Sequence, residues 1–122
     1  MYSPQWGLFV VRVGLAGVLL WFGSQLLLHT PNWSGYVPDY AVHLSGISAT
    51  TITLWNGSIE IAFGLLLLAG FLTQISALVM GIHIAIIALS LGINELGVRD
   101  WGLAAALFGI ALAGPGAFSL DE

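Results

Sequence analysis

Three ionisable side chains, Glu60, Arg12 and His83, lie inside long apolar segments of this chain. Glu60 is the only acid or base between Trp55 and Leu72. An ionisable group in hydrocarbon costs about 2.5–3.5 kcal/mol on insertion scales, so such a group faces the interior of a helix bundle and usually has a partner. A carboxylate beside a guanidinium forms a strong charge-assisted pair, and histidine titrates in the neutral range. We therefore predict that Glu60, Arg12 and His83 form a catalytic group that handles charge or protons.

The depths of the three residues decide whether they can meet. At 1.5 Å per residue, Arg12 lies roughly 10 Å, Glu60 roughly 16 Å and His83 roughly 14 Å from the same end of their predicted helices. An arginine side chain spans the remaining gap, so an Arg12–Glu60 pair with His83 beside it is expected. Two other interpretations stay open. Arg12 reaches back to the membrane surface, or the pair only holds helices together while His83 hydrogen-bonds a neighbour.

A second polar layer is predicted near the opposite end of the helices. Gln25, Asn56 and Asp100 are expected to line an entrance there and to contact a cofactor. Asp100 can instead serve with Arg99 as a cap for the last helix. The histidines show no tight ligand spacing with acids, so no metal site is predicted.

Four apolar segments must position these residues, at about 5–28, 51–71, 74–92 and 99–117. The chain has 122 residues, of which 58% are hydrophobic and 7% charged, whereas a soluble protein has about 25% charged residues. Each segment approaches the length of about 20 residues that spans a bilayer. We predict one domain over residues 1–122, an all-α integral membrane antiparallel four-helix bundle. The 29–50 loop is expected to hold a short interfacial helix over 38–44.

The charged residues limit the partners and the location. The net charge is −4 with no lysine and two arginines, which argues against nucleic acid and against anionic lipid head groups. There is no cysteine, which excludes disulfides and thiol catalysis. We expect a multi-pass protein of the cell membrane, surrounded by lipid, with both termini on one side. The arginines lie near opposite ends of the bundle and do not fix its orientation. We place the termini in the cytoplasm.

Short motifs follow one another in a characteristic order. They are Arg12-Val-Gly14, Trp21-Phe22-Gly23, Gly57-Ser-Ile-Glu60, a leucine run from Gly64 to Gly70, Leu72-Thr73, Asp100, and Gly114-Pro-Gly116-Ala-Phe-Ser119-Leu-Asp121. Together these motifs resemble the DoxX family of small four-helix membrane proteins, which includes the DoxD-like subunits of thiosulfate:quinone oxidoreductase. The family often has basic residues where this chain has Gln25 and Gln74. This chain therefore lacks two positive charges that could hold an anionic substrate or partner in other members.

The resemblance implies a subunit of a membrane redox system that is linked to quinone and to the oxidation of sulfur compounds. A quinone is the cofactor it suggests, and another protein subunit or a second copy of the chain is the expected partner. Whether the chain is itself an enzyme stays open. The competing interpretation is a non-catalytic assembly or anchor protein, in which the buried polar residues only fix helix packing. A third interpretation is a small carrier of solutes or protons, for which the bundle is too small unless it forms an oligomer.

Overall fold

Four long helices dominate the computed structural model, which describes residues 4–121. The helices are α1 (Pro4–Leu28), α2 (Thr30–Trp33), α3 (Asp39–Ser45), α4 (Ala49–Ala69), α5 (Thr73–Leu91) and α6 (Glu95–Ala113), with a 3-10 turn at Ser34–Tyr36. Helices α1, α4, α5 and α6 are each long and apolar enough to cross a membrane. Residues 4–121 contain no strand. The predicted all-α membrane helix bundle is therefore confirmed.

The last helix is shifted relative to the 99–117 range expected from hydropathy. It begins at Glu95 because the side chain of Asn94 accepts a hydrogen bond from Gly97 N at 2.8 Å, which caps the first turn. It ends at Ala113 because Gly114 adopts a φ of 99°, which breaks the helical path. Residues 115–121 are thereby released from the helix and turn back onto the bundle.

The helices pack as two close pairs, α1 with α4 and α5 with α6. In the first pair, Gly23 and Gly57 face each other: a Cβ on Gly23 would lie 3.0 Å from Gly57 O. In the second pair, Phe108 packs over Gly81, where an added Cβ would come within 2.8 Å of its ring. Small residues let helix backbones approach closely in lipid, where no hydrophobic effect drives helices together.

The two ends of the bundle differ in what closes them. End A comprises the start of α1, the α4–α5 turn at residues 70–72 and the C-terminal segment 115–121. There, Ala117 N donates to Gln5 O at 3.0 Å, and Leu120 N donates to Ala69 O at 3.1 Å. The C-terminal segment is thus bonded to both α1 and α4.

End B is covered by the cap segment, residues 30–45, which joins α1 to α4. It contains α2, the 3-10 turn and α3. Helix α3 lies at the position predicted for the interfacial helix. The hydroxyl of Tyr40 is 2.9 Å from Ser90 Oγ, so the cap segment is hydrogen-bonded to α5.

Candidate functional site

A cavity of about 260 Å³ lies near end B, between the four long helices and the cap segment. Its walls are mainly apolar, and all four long helices contribute to them. The lining residues on which the site depends are Phe22, Asn56, Glu60, His83, Arg99 and Asp100 from the helices, and Trp33 and Tyr36 from the cap segment. The cavity is close in size to the smallest ligand pockets, which begin at roughly 300 Å³. The cavity is therefore large enough for a ligand head group that consists of a single ring.

Glu60 and His83 are the central ionisable residues of this cavity. Glu60 is 5% exposed, and its Oε2 atom is buried without a hydrogen-bond partner among the described residues. Nε2 of His83 is likewise buried and has no partner within residues 4–121. A carboxyl group accepts hydrogen bonds and, when protonated, donates one, and an imidazole nitrogen can also do either. The two side chains therefore offer unused hydrogen-bonding atoms to a ligand.

Arg99 and Asp100 form the ion pair of the cavity. Nε and Nη2 of Arg99 both donate to Asp100 Oδ1, at 3.0 and 2.8 Å. The Arg99 guanidinium also lies 4.3 Å from the centre of the Phe22 ring, a cation–π contact. Glu60 lines the same cavity as this ion pair. Because Arg99 is bonded to Asp100, Glu60 has no comparable cation bonded to it in the described structure.

Trp33 is a lining residue that sequence reasoning missed. Its ring packs edge-on against Phe22 at 5.8 Å between centroids, and lies 5.9 Å from the ring of Tyr36. The Nε1 atom of Trp33 is buried, and no described residue accepts its hydrogen. Tryptophan is common at membrane interfaces, and this one follows the end of the first helix by five residues, so the sequence carried no signal that separated it from an interface anchor.

Arg12 lies at end A, away from the cavity. Its Nη1 donates to Pro115 O at 3.0 Å and its Nη2 donates to Phe118 O at 2.9 Å. A side chain at Gly70 would come within 2.6 Å of Nη1, and Gly70 is ten residues beyond Glu60, or roughly 15 Å along α4. The geometry thus does not bring the expected Arg12–Glu60 pair together.

The direction of the side chains explains this separation. In an α-helix each side chain leans toward the N-terminus of its own helix. Helix α1 starts at end A and α4 starts at end B, so Arg12 and Glu60 lean away from each other. The snorkelling interpretation of Arg12 is nearer to the structure, although the guanidinium is covered by the C-terminal segment and only 1% of Arg12 is exposed.

The predicted entrance residues divide in the same way. Asn56 and Asp100 line the cavity with Glu60 and His83. Gln25 is half-buried on α1 and is not among the lining residues. Of the six predicted site residues, the structure brings Glu60, His83, Asn56 and Asp100 together. The assembly of an acid, an imidazole and an ion pair inside apolar walls can bind a small polar head group and exchange protons with it.

Comparison with known proteins gives one positive result. No curated protein matches the chain, and no solved structure matches it. The family model described as DoxX matches residues 7–93. This range spans most of the chain and includes α1 from Gly7 onward, the cap segment, α4 and α5. The match therefore covers Glu60, His83, Asn56 and Trp33 but stops before Arg99 and Asp100. The chain belongs to the DoxX family.

Proposed function

We propose that this protein is the membrane subunit of a redox system and that its end B cavity binds the head group of a quinone. The observation that supports this most directly is the pair of unused polar atoms, Glu60 Oε2 and His83 Nε2, in one apolar cavity. Buried polar atoms usually have partners, and an atom without one calls for an explanation, for which a bound ligand is a candidate where the atom lines a cavity. An apolar cavity with a few convergent polar groups is the usual form of a small-molecule site.

The residues present fit such a ligand. A quinone head group is a flat apolar ring with carbonyl oxygens, and the cavity offers the aromatic walls Phe22, Trp33 and Tyr36 together with Glu60 and His83. When bound, a quinone supplies two-electron, two-proton redox chemistry. Glu60 and His83 would bind the inner oxygen and carry the protons. The charges of Arg99 and Asp100 would set the electrostatic potential around Glu60.

Electrons have to come from outside this chain. Its sequence contains no cysteine and no recognisable cofactor-binding motif. We therefore include in the proposal a second subunit, or a second copy of this chain, that passes electrons to the bound quinone. Oxidation of a sulfur compound by that partner is the reaction that the family relationship suggests.

A binding measurement on the purified chain tests the proposal. The probe is para-benzoquinone with a decyl tail, titrated into the full chain in mild detergent. A quinone oxygen only accepts hydrogen bonds, so Glu60 has to donate to it in its protonated form. Glu60→Gln keeps the shape of the side chain but replaces the acidic O–H with a weaker amide donor that cannot deliver a proton. We expect its affinity for the probe to fall about three- to tenfold, within the roughly 0.5–1.5 kcal/mol of one neutral hydrogen bond.

The matched control is Glu95→Gln, which alters an exposed acid in the first turn of α6. This variant should bind the probe as the wild type does. Both variants should unfold at the same temperature as the wild type. Wild-type protein that does not bind the quinone, or equal affinities in the wild type and Glu60→Gln, would contradict the proposal.

The alternative, an assembly or anchor protein, predicts a different pattern. In that case Glu60→Gln lowers the unfolding temperature and leaves ligand binding absent from both proteins. Native mass spectrometry of the protein extracted from its own membranes separates the two functions further. A bound small molecule that disappears in Glu60→Gln supports the redox site, whereas a chain accompanied only by another protein supports assembly.

The cytoplasmic position of end A is also a prediction. The absence of native cysteine makes the test simple, because single cysteines can be placed at Gln74 near end A and at His43 near end B. In intact cells a membrane-impermeant thiol reagent should label the cysteine at position 43 and leave the one at position 74 unlabelled. The opposite labelling would invert the orientation.

A further inference from the structure

We infer that Trp33 donates a hydrogen bond from its indole Nε1 to the bound ligand, so that the cavity selects a ring with oxygens at two opposite ends. This inference rests on the proposed function and assigns the outer half of the same site. Trp33 Nε1 is the third polar atom of the cavity lining that is buried and unpartnered among residues 4–121, after Glu60 Oε2 and His83 Nε2.

The positions of these atoms give the site two polar ends. Glu60 lies eleven residues beyond Ala49, where α4 begins at end B, which is a depth of roughly 16 Å. Trp33 belongs to the cap segment, which follows the end of α1 and covers end B, and its ring contacts Phe22. The inner polar end, Glu60 and His83, is thus supplied by the long helices, and the outer end by the cap segment.

The chemistry of the indole restricts what can occupy the outer end. An indole N–H only donates, so its partner has to be a hydrogen-bond acceptor. Arg99, the nearby cation, is bonded to Asp100 and cannot accept a hydrogen bond. The contacts of Trp33 with Phe22 and Tyr36 hold its ring in place. A ligand with a single oxygen at the inner end would leave the Trp33 N–H buried and unsatisfied, whereas a ring with a second, opposite oxygen would satisfy it.

Two probes and one substitution test this inference. The first probe is the decyl-tailed para-benzoquinone, and the second is the matching phenol, which lacks the second ring oxygen. Trp33→Phe keeps an aromatic ring but removes the N–H. We expect this variant to bind the quinone about three- to tenfold more weakly, the usual effect of one lost hydrogen bond, and to bind the phenol as the wild type does. Trp101→Phe, on an exposed side chain of α6, is the control and should change neither affinity.

A measurement on the unmodified chain guards against a variant that misfolds. With the tryptophans labelled with nitrogen-15, the indole N–H proton of Trp33 should move downfield, as hydrogen bonding requires, when the quinone is added, and should show no downfield shift when the phenol is added. Equal loss of both affinities in Trp33→Phe would overturn the inference, because it would show a packing role only. Quinone affinity that is unchanged in Trp33→Phe would also overturn it while leaving the proposed function intact. Wild-type protein that binds neither probe would instead refute the proposed function itself.

Discussion

The guanidinium of Arg12 is bonded to the backbone carbonyl of Phe118, with Nη2 donating to the oxygen at 2.9 Å. Nη1 of the same side chain donates to Pro115 O at 3.0 Å. The arginine inside the first apolar segment thus joins the start of the bundle to its C-terminal segment. A buried backbone carbonyl that lies outside a helix needs a hydrogen-bond donor, and Arg12 supplies one to each of these two carbonyls. The role of this residue is to close end A.

Replacing Arg12 should therefore destabilise the protein without weakening quinone binding in the end B cavity. Arg12→Met removes both donors and leaves the carbonyls of Pro115 and Phe118 without them, at an expected cost of about 2–3 kcal/mol in the free energy of unfolding. Arg12→Lys keeps the charge but cannot reach both carbonyls in the same way, and should lose about half as much. Denaturation in mixed detergent measures both values. Quinone affinity that falls in Arg12→Met while the fold stays intact would contradict this structural role.

The carboxylate of Asp121 caps the start of α5 from another part of the chain. Leu72 N donates to Oδ1 at 2.9 Å and Thr73 N donates to Oδ2 at 2.8 Å. The residue at the N-cap position, Leu72, has a positive φ of 51° and no side chain that can cap. The hydrogen bond from Thr73 N is the main reason that the pKa of Asp121 is lowered, and the N–H of Leu72 and the charge of Arg12 act in the same direction.

This cap should make stability depend on pH in the acidic range. Because the pKa of Asp121 is lower in the folded protein than in the unfolded chain, the carboxylate stabilises the fold above the unfolded pKa. That contribution is lost as the pH falls through the folded pKa. Asp121→Asn should cost about 0.5–1 kcal/mol at pH 7, a usual value for a helix cap at an exposed site. Its unfolding temperature should approach that of the wild type as the pH is lowered. Asp39→Asn, which alters an exposed acid of the cap segment, is the control. A difference in unfolding temperature between the wild type and Asp121→Asn that persists at low pH would contradict the prediction.

Gly70 is the glycine that the closure of end A requires. It adopts a φ of 71°, and an added Cβ would lie 2.6 Å from Arg12 Nη1 and 2.7 Å from Ser119 Cα. Gly70→Ala should cost at least about 1–2 kcal/mol from its backbone conformation, with a further loss because the C-terminal segment has to move. Gly102→Ala is the matched control in α6, since an added Cβ there meets nothing within 4 Å. It should be neutral or stabilise the helix by about 0.5–1 kcal/mol. Similar unfolding temperatures for the two variants would show that the segment does not pack tightly on Gly70.

The four long helices could be predicted from the sequence because a membrane imposes their length and composition. The apolar segments around Glu60 and His83 had to be helical, and the depth of these two residues followed from the rise per residue. Depth along an axis does not give the direction in which a side chain leans, and that direction separated Arg12 from Glu60. The partners of Arg12 were not predictable in this way, because they are backbone carbonyls of a segment that hydropathy had assigned partly to the last helix.

The outer half of the site was also beyond the reach of sequence reasoning. The contact of Trp33 with Phe22 depends on how the cap segment folds back over α1, which is a tertiary feature without a periodic pattern. The ion pair of Arg99 with Asp100 is likewise a tertiary feature that could not be predicted from the sequence. Neighbouring charges at the start of a helix ordinarily meet water, whereas here Asp100 is 4% exposed and lines a cavity.

The bond between Arg99 and Asp100 should keep the Glu60 carboxyl available for a ligand. If Asp100 is replaced by alanine, the acid left for Arg99 in the cavity lining is Glu60. We expect Arg99 to turn toward Glu60 and occupy its unused oxygen, which lowers the affinity for the decyl-tailed quinone by about tenfold, or roughly 1.4 kcal/mol. Because both changes remove the same contact, the double variant Asp100→Ala/Glu60→Gln should bind no more weakly than Glu60→Gln alone. Additive losses in this cycle would mean that Asp100 contacts the ligand independently of Glu60, and an unchanged affinity in Asp100→Ala would mean that the ion pair only caps α6.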